Sequence, residues 1–195
     1  VTLAEAQKAE GALTELGGLV LRASLAKQSD WAGLKALIGE TPTQGEPNAQ
    51  GGRLLDGMLL AWAELGAGQA TEAMEQFESL AGIRGAASMI DFNLALVKAS
   101  VGDYEGAAAL LEKPAVGAHL MGSVARAEVL AQLDRRDEAL SLLESVPGAS
   151  EEPLVLDLVA RLASGQPVPF TGLKDAREGI AQTLLIFATA LLAGA

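Results

Sequence analysis

The sequence contains no cysteine and a single histidine, His119. The lack of cysteine excludes disulfides, thiol nucleophiles and thiolate metal sites. One histidine cannot form a histidine-rich metal site, so we expect His119 to cap a helix or to lie on the surface. We therefore predict no metal site and no cofactor.

Aromatic residues are scarce and the balance of charge is one-sided. Aromatics make up 4% of the chain, whereas hydrophobic residues make up 50%, with Ala and Leu dominant. This composition favours helices packed through small side chains over a β-sandwich. Lys and Arg total 14 against 25 Asp and Glu, which gives a net charge of −11. Because such a chain repels phosphate, we predict no nucleic-acid partner.

No hydrophobic run is long enough to suggest a membrane span. The longest, IAQTLLIFATALLAGA at 180–195, is shorter than the roughly 20 residues that a spanning helix needs. It also contains Gln182, Thr183 and Thr189. The run predicts a buried or docking helix, which could also join two subunits in a homodimer.

The usual catalytic motifs are missing as well. The sequence has no HExxH, GxSxG or GxxxxGK[ST] pattern. The stretch GAGQAT at 66–71 resembles the start of a dinucleotide-binding loop, but it lacks the third glycine and a preceding strand, so a turn explains it better. We therefore predict that the chain is not an enzyme and has no catalytic residue.

What the sequence does contain is a repeat. Three segments share an apolar helix, a short polar break and a second helix. Small residues keep the same register in each copy and would let the two helices approach closely. In the second helices they are Ala73, Ala107 and Ala139, and in the first helices they are Ala61, Ala95 and Ala127.

The break within each unit has a physical basis that is clearest at Gly102 and Asp103. Glycine readily adopts the left-handed conformation that ends a helix. Aspartate caps the next helix by accepting a hydrogen bond from a free N–H group. The pair therefore predicts the end of one helix and the start of another.

A helix-turn-helix unit of about 34 residues, opening its second helix with GDYEGA or RRDEAL, resembles the tetratricopeptide repeat. The resemblance implies an all-α fold, a right-handed α-solenoid of antiparallel helix pairs with about ten helices. We predict a single domain over 1–195. It would hold a degenerate helix pair at 1–40, three repeats at 54–148 and C-terminal helices at 151–195.

The order of segments around ARLASGQPVPFTGLKDAREGIAQTLL is similar to that of large tetratricopeptide proteins of alphaproteobacteria. Those proteins begin with a secretion signal and carry further repeats. The resemblance implies that the chain is a segment of a longer periplasmic protein.

The flanking segments predict further boundaries. Thr2 to Glu5 has capping-box spacing, and TPTQGEPNAQGG at 41–52 is typical of a loop. A helix is expected after a cap at Ser150, then a turn at 166–170 and a final helix.

The first helix of each repeat is apolar on two faces. One face packs on the second helices, and the other forms an inner stripe that we predict to be a groove for a protein or peptide. The alternative is a groove already filled by the N-terminal helix, the final helix or a second subunit. The stripe consists of Leu55, Met58, Trp62, Met89, Phe92, Leu96, Met121, Val124 and Glu128.

Charged residues carry weaker signals. Glu128, the polar member of the stripe, is expected at an edge exposed to water. Asp134 to Glu138 is expected to form a solvated turn with local ion pairs, and Arg126 to lay its stem on apolar neighbours with its head in solvent. The leading hypothesis is a non-catalytic scaffold that binds a protein or peptide. The alternative is an assembly segment whose groove and end helix pack on further repeats or on a second subunit.

Overall fold

The computed structural model describes residues 14–40, 49–117, 119–148 and 151–193, together with Glu5, Lys8 and Gly11. Within these residues the fold consists of helices, turns and irregular segments, with no strand. The helices are α1 (Glu15–Lys27), α2 (Trp31–Glu40), α3 (Ala49–Gly66), α4 (Ala70–Ser79), α5 (Ala87–Ser100), α6 (Tyr104–Leu111), α7 (Pro114–Gly117), α8 (Leu120–Gln132), α9 (Arg136–Glu144), α10 (Pro153–Ala163) and α11 (Ala176–Ala193).

Five of these helices end in the same way. A residue with positive φ follows the helix, and the next residue donates its N–H to the carbonyl five positions back, at N···O distances of 2.9–3.0 Å. This closure satisfies carbonyls that the helix end would leave free. The positive-φ residues are Ser29, Gly68, Gly102, Asp134 and Gly165.

The prediction for the break at Gly102 and Asp103 is confirmed. Gly102 has a φ of +87°, and the Asp103 side chain accepts from the backbone N–H of Gly106 at 2.9 Å. Asp103 also accepts from Lys98 Nζ at 2.8 Å, and this hydrogen bond is the main reason that the pKa of Asp103 is lowered. The cap therefore stays ionised, which strengthens its bond to the helix N-terminus.

The first four turns join the pairs α1–α2, α3–α4, α5–α6 and α8–α9. The fifth turn, at Gly165, follows the spacing of the repeats. The number of residues from Asp134 to Gly165 is nearly the same as the number from Gly102 to Asp134. No second helix follows it before Ala176. Pro167 and Pro169 explain this difference, because proline inside a helix removes a hydrogen bond and clashes with the preceding turn. A segment without regular secondary structure takes the place of the second helix.

The residue contacts divide the chain into two units, which we describe separately. Unit 1 contains residues 1–84 and 175–195, and unit 2 contains 85–174. In unit 1, α1 to α4 pack in sequence, and α11 lies against α3 and α1. In unit 2, α5 to α10 pack mainly as sequential neighbours, with α6 against α8. The prediction of a single domain over 1–195 stays a prediction.

Unit 1 buries an ion pair between its first two repeats. Arg22 of α1 donates through Nη2 to Oδ1 of Asp56 on α3 at 3.2 Å. Their side chains are 4% and 11% exposed. The residues are 34 positions apart, so the pair links equivalent helices of consecutive repeats.

Some predicted boundaries were wrong. Helix α3 begins at Ala49, so the last four residues of the expected loop at 41–52 are helical, with Gly52 buried in the unit. Helix α10 begins at Pro153 and its N-cap residue is Glu152 rather than Ser150, which lies outside the described residues. Proline suits the first helical position because it needs no N–H acceptor there. The capping box expected at Thr2 also lies outside the described residues.

Candidate protein-binding surfaces

Three members of the predicted inner stripe lie in unit 1, on α3. Leu55, Met58 and Trp62 are buried, and the last two are fully inaccessible to solvent. As a correction to the groove prediction, these side chains lie in the core rather than on an open surface. Helix α11 packs on α3, which agrees with the filled-groove alternative, with the final helix as occupant.

The contact between Trp62 and α11 is specific. The indole Nε1 donates to Thr183 Oγ1 at 3.1 Å, and the same hydroxyl donates to the carbonyl of Gly179 at 2.9 Å. A Cβ atom built on Gly179 would lie 2.5 Å from the indole ring, so only glycine leaves room for the tryptophan. Phe77 closes the other side edge-to-face, with ring centroids 5.3 Å apart. Trp62 is thus matched to α11 in shape and in hydrogen bonding.

Replacing Thr183 with valine is expected to lower the free energy of unfolding by about 1–2 kcal/mol, because the buried indole N–H loses its acceptor while the volume hardly changes. Urea denaturation followed by tryptophan fluorescence measures this loss, since Trp31 and Trp62 both belong to unit 1. The matched control is Thr189→Val on the same helix, where the hydroxyl is exposed and bonds to the carbonyl of Leu185. An equal loss in both variants would contradict the role given to the indole hydrogen bond.

The other six stripe residues lie in unit 2, on α5 and α8, and the structure divides them into two groups. Leu96, Val124 and Glu128 are buried. The segment Gln166–Gly172, which has no regular secondary structure and which we call the strap, contributes to this burial. Val168 packs in the same core cluster as Val124, and a Cβ on Gly172 would lie 3.4 Å from Leu96.

Polar groups of α8 and α9 hold the strap. Glu128 accepts from Thr171 through both carboxylate oxygens, from the backbone N–H at 2.8 Å and from the hydroxyl at 2.5 Å. Gln132 Nε2 donates to the carbonyl of Val168, and Arg136 Nη1 donates to that of Gln166 at 3.1 Å. The expectation of a water-exposed Glu128 was wrong, since its exposure is 5%. The strap covers it and supplies its hydrogen bonds.

The second group of stripe residues remains accessible. Met89 and Phe92 of α5 are half-buried, and Met121 of α8 is 51% exposed. Phe92 meets the imidazole of His119 edge-to-face with ring centroids 5.1 Å apart. Together, Met89, Phe92 and Met121 form what we call the open patch of unit 2. Methionine adapts its shape readily, which suits a binding surface.

Three charged or polar predictions can be checked directly. His119 caps α8, and its Nδ1 accepts from the N–H of Gly122 at 3.0 Å, as expected. In the segment 134–138, Arg135 and Arg136 are half-buried and the other three residues are exposed. The segment contains a bidentate Arg135–Glu138 pair at 2.8 and 2.7 Å, which is the local ion pair expected there. The head of Arg126 differs from the expectation, because its Nη2 pairs with Glu112 at 3.2 Å and its buried Nε has no partner among the residues that the structure describes.

Arg126 also lines a surface pocket of about 430 Å³ between α8 and α9, together with Leu130, Asp137, Glu138, Ser141 and Leu142. The pocket carries both signs of charge. Among the described residues, no cluster of three or more His, Asp or Glu side chains could hold a metal ion. Nor does any helix in the described ranges combine the length and the apolar character that crossing a bilayer requires.

These observations identify a helical repeat protein built from helix-turn-helix units. The type of repeat follows from comparison with known proteins. The tetratricopeptide repeat family model matches residues 121–145, which cover nearly all of α8 and α9. The crystal structure of nearly identical TPR-like repeats, from a protein of Podosopora anserina assigned as a kinesin light chain, matches with a TM-score of 0.51. That match has 20% sequence identity and covers 97% of this chain and 93% of that chain.

No curated protein matches the sequence significantly. Residues 121–145 thus match a tetratricopeptide repeat, and the chain has the fold of TPR-like repeat proteins, so the predicted class, an all-α right-handed solenoid of antiparallel helix pairs, is confirmed. Repeats of this kind support a general role in protein interaction.

Proposed function

We propose that the chain is a non-catalytic scaffold that binds a protein or peptide through the open patch of unit 2. The observation that carries this proposal is the division of the inner stripe. Leu55, Met58 and Trp62 are buried in unit 1, where α11 packs on α3, whereas Met121 is 51% exposed and Met89 and Phe92 are half-buried. Exposed apolar side chains grouped on one face are typical of interaction surfaces.

The chemistry of the open patch suggests the kind of partner. Two thioethers and a phenyl ring would accept an apolar or amphipathic segment of a protein. The chain carries a net charge of −11, so a partner with basic residues around its apolar ones would associate faster than an acidic one. A periplasmic location belongs to the same proposal and rests on the sequence resemblance alone. The proposal assigns no catalytic residue.

The test compares two variants that alter equally exposed side chains of unit 2. In Met121→Glu a charge replaces the most accessible residue of the open patch, and in Leu156→Glu the same change is made on α10, where Leu156 is 50% exposed. Extract from the source cells is passed over immobilised wild-type chain and over each variant. We expect a protein that is retained by the wild type and by Leu156→Glu but lost from Met121→Glu. Equal retention by all three would exclude the open patch as the binding site.

The alternative, an assembly role, is favoured by a different observation. Helices α1 and α11 pack against each other in unit 1, and both carry exposed apolar residues, with Leu185 at 68% and Leu16 at 71%. Val20 and Ile186 are nearly half exposed. Such residues could contact further repeats or a second copy of the chain.

Light scattering over a range of concentrations tests the assembly role. A dimer that becomes a monomer in Leu185→Glu, but not in Leu156→Glu, would support self-association through this surface. A wild-type chain that stays monomeric at every concentration would contradict it. The open patch could still bind a partner in either case, so the two candidate functions are tested independently.

A further inference from the structure

The strap of unit 2 makes contacts of the kind that a bound peptide would make. Six of its seven residues, 167–172, alternate between exposed positions and more buried ones, and Val168 is its one buried aliphatic side chain, with Phe170 half-buried. Its backbone carries most of the polar contacts. Two of its carbonyls accept from side chains of the repeat, and one of its N–H groups donates to Glu128.

The two prolines of the strap suit it to this position. An extended segment lying across helices has no neighbouring strand to satisfy its N–H groups. Pro167 and Pro169 have no N–H, so the strap carries fewer donors that need a partner. Their fixed φ also favours an extended backbone and reduces the entropy lost on docking. The same properties would benefit any proline-containing segment bound in this place.

Glu128 restricts most strongly which segment can bind at the strap position. Its carboxylate is almost entirely buried, and in this structure Thr171 donates to both of its oxygens. A buried carboxylate without donors is unfavourable. A segment that occupies the strap position must therefore present a backbone N–H together with a hydroxyl, as threonine does. Gln132 and Arg136 add a requirement for two free carbonyls on the N-terminal side.

We infer that Glu128, Gln132 and Arg136 form a recognition site for an extended Pro-x-Pro-aromatic-Thr segment, and that the strap is an internal ligand which a partner segment of this chemistry displaces. The inference rests on the proposed function, since the partner would continue from this site onto the open patch. The two surfaces are adjacent, because Leu96, which contacts the strap at Gly172, lies one helical turn from Phe92 on α5.

The experiment uses the 195-residue chain with Gln166–Gly172 replaced by seven alternating glycines and serines. The probe is a fluorescently labelled peptide of sequence QPVPFTG, and binding is measured by fluorescence anisotropy. We expect this variant to bind the peptide at least about tenfold more tightly than the wild type does, because the tethered strap competes at an effective concentration in the millimolar range. A peptide with valine in place of threonine, and Glu128→Gln in the chain, should each weaken binding about tenfold.

The outcomes separate this inference from the proposed function. Absence of binding to the folded replacement variant, or equal binding of the threonine and valine peptides, would overturn the inference. Tighter binding of a peptide with lysine in place of threonine would overturn the assignment of a hydroxyl partner. If circular dichroism shows that the replacement variant is unfolded, Thr171→Val takes its place, and a chain that gains no affinity for the peptide over the wild type refutes the inference. In each of these cases, loss of a partner from the Met121→Glu variant would still support the proposed function of the open patch.

Discussion

Asp56→Ala is expected to lower the free energy of unfolding of unit 1 by about 3–5 kcal/mol. The reason is the burial of Arg22, whose side chain is 4% exposed and whose guanidinium would remain charged in the core without the carboxylate. The cost is mainly that of a buried guanidinium that loses the carboxylate it pairs with, because the pair itself gives back only part of its desolvation energy. Urea denaturation followed by tryptophan fluorescence reports on this unit, which contains both tryptophans.

Two controls make this expectation specific. Glu40→Ala removes an exposed ion pair of the same unit, between Lys8 and Glu40 at 3.2 Å, and should cost at most about 1 kcal/mol. The double variant Arg22→Met with Asp56→Leu removes both charges and fills the space with apolar atoms, and it should recover more than half of the loss. Similar losses for Asp56→Ala and Glu40→Ala would mean that burial of the Arg22–Asp56 pair has no energetic consequence.

Gly179→Ala is expected to destabilise unit 1 by about 3 kcal/mol, at the upper end of the range for an overpacked core. The new methyl group would lie 2.5 Å from two atoms of the Trp62 ring. The ring is rigid and fully buried, and it is enclosed by Phe77 on another side, so it has no room to move. Relief would require α11 to shift, which would stretch the hydrogen bond from Trp62 to Thr183.

The control for this substitution is Gly39→Ala, the same change on α2 in the same unit. A Cβ atom on Gly39 meets nothing within 4 Å, so alanine should raise stability by about 0.5–1 kcal/mol through its better helix propensity. Opposite signs for the two variants in urea denaturation are the expected result. A Gly179→Ala variant as stable as the wild type would show that α11 does not hold Trp62 as tightly as its geometry indicates.

The repeat and its turns could be predicted from the sequence because their causes are local. Gly102 and Asp103 contain both the left-handed preference and the cap. Ser29 and Asp134 adopt the same left-handed conformation, with a φ of 58° each, but residues other than glycine do so rarely and give a weaker signal. The shared register of the turns, rather than residue type, could have identified them.

The occupants of the inner stripe could not be chosen from the sequence, because an apolar face does not specify what covers it. Thr183 was visible within the last apolar run as a reason against a membrane span, but its bond to Trp62 joins residues 121 positions apart. Glu128 was recognised as the odd member of the stripe. Its burial depends on the strap, which lies 43 residues away. From the sequence, the two prolines of the strap predicted a turn and nothing more.

Unit 1 consists of two stretches that are far apart along the chain, and this determines when it can finish folding. Its last helix follows the whole of unit 2, residues 85–174, along the chain. At a synthesis rate of about 5–20 residues per second, the end of α11 leaves the ribosome roughly 6–23 seconds after the end of α4. During that interval unit 2 is being synthesised, and the face of α3 on which α11 packs, at Trp62, lacks that cover. Nascent chains of this protein therefore pass through a period in which this apolar face is open to chaperones or to aggregation.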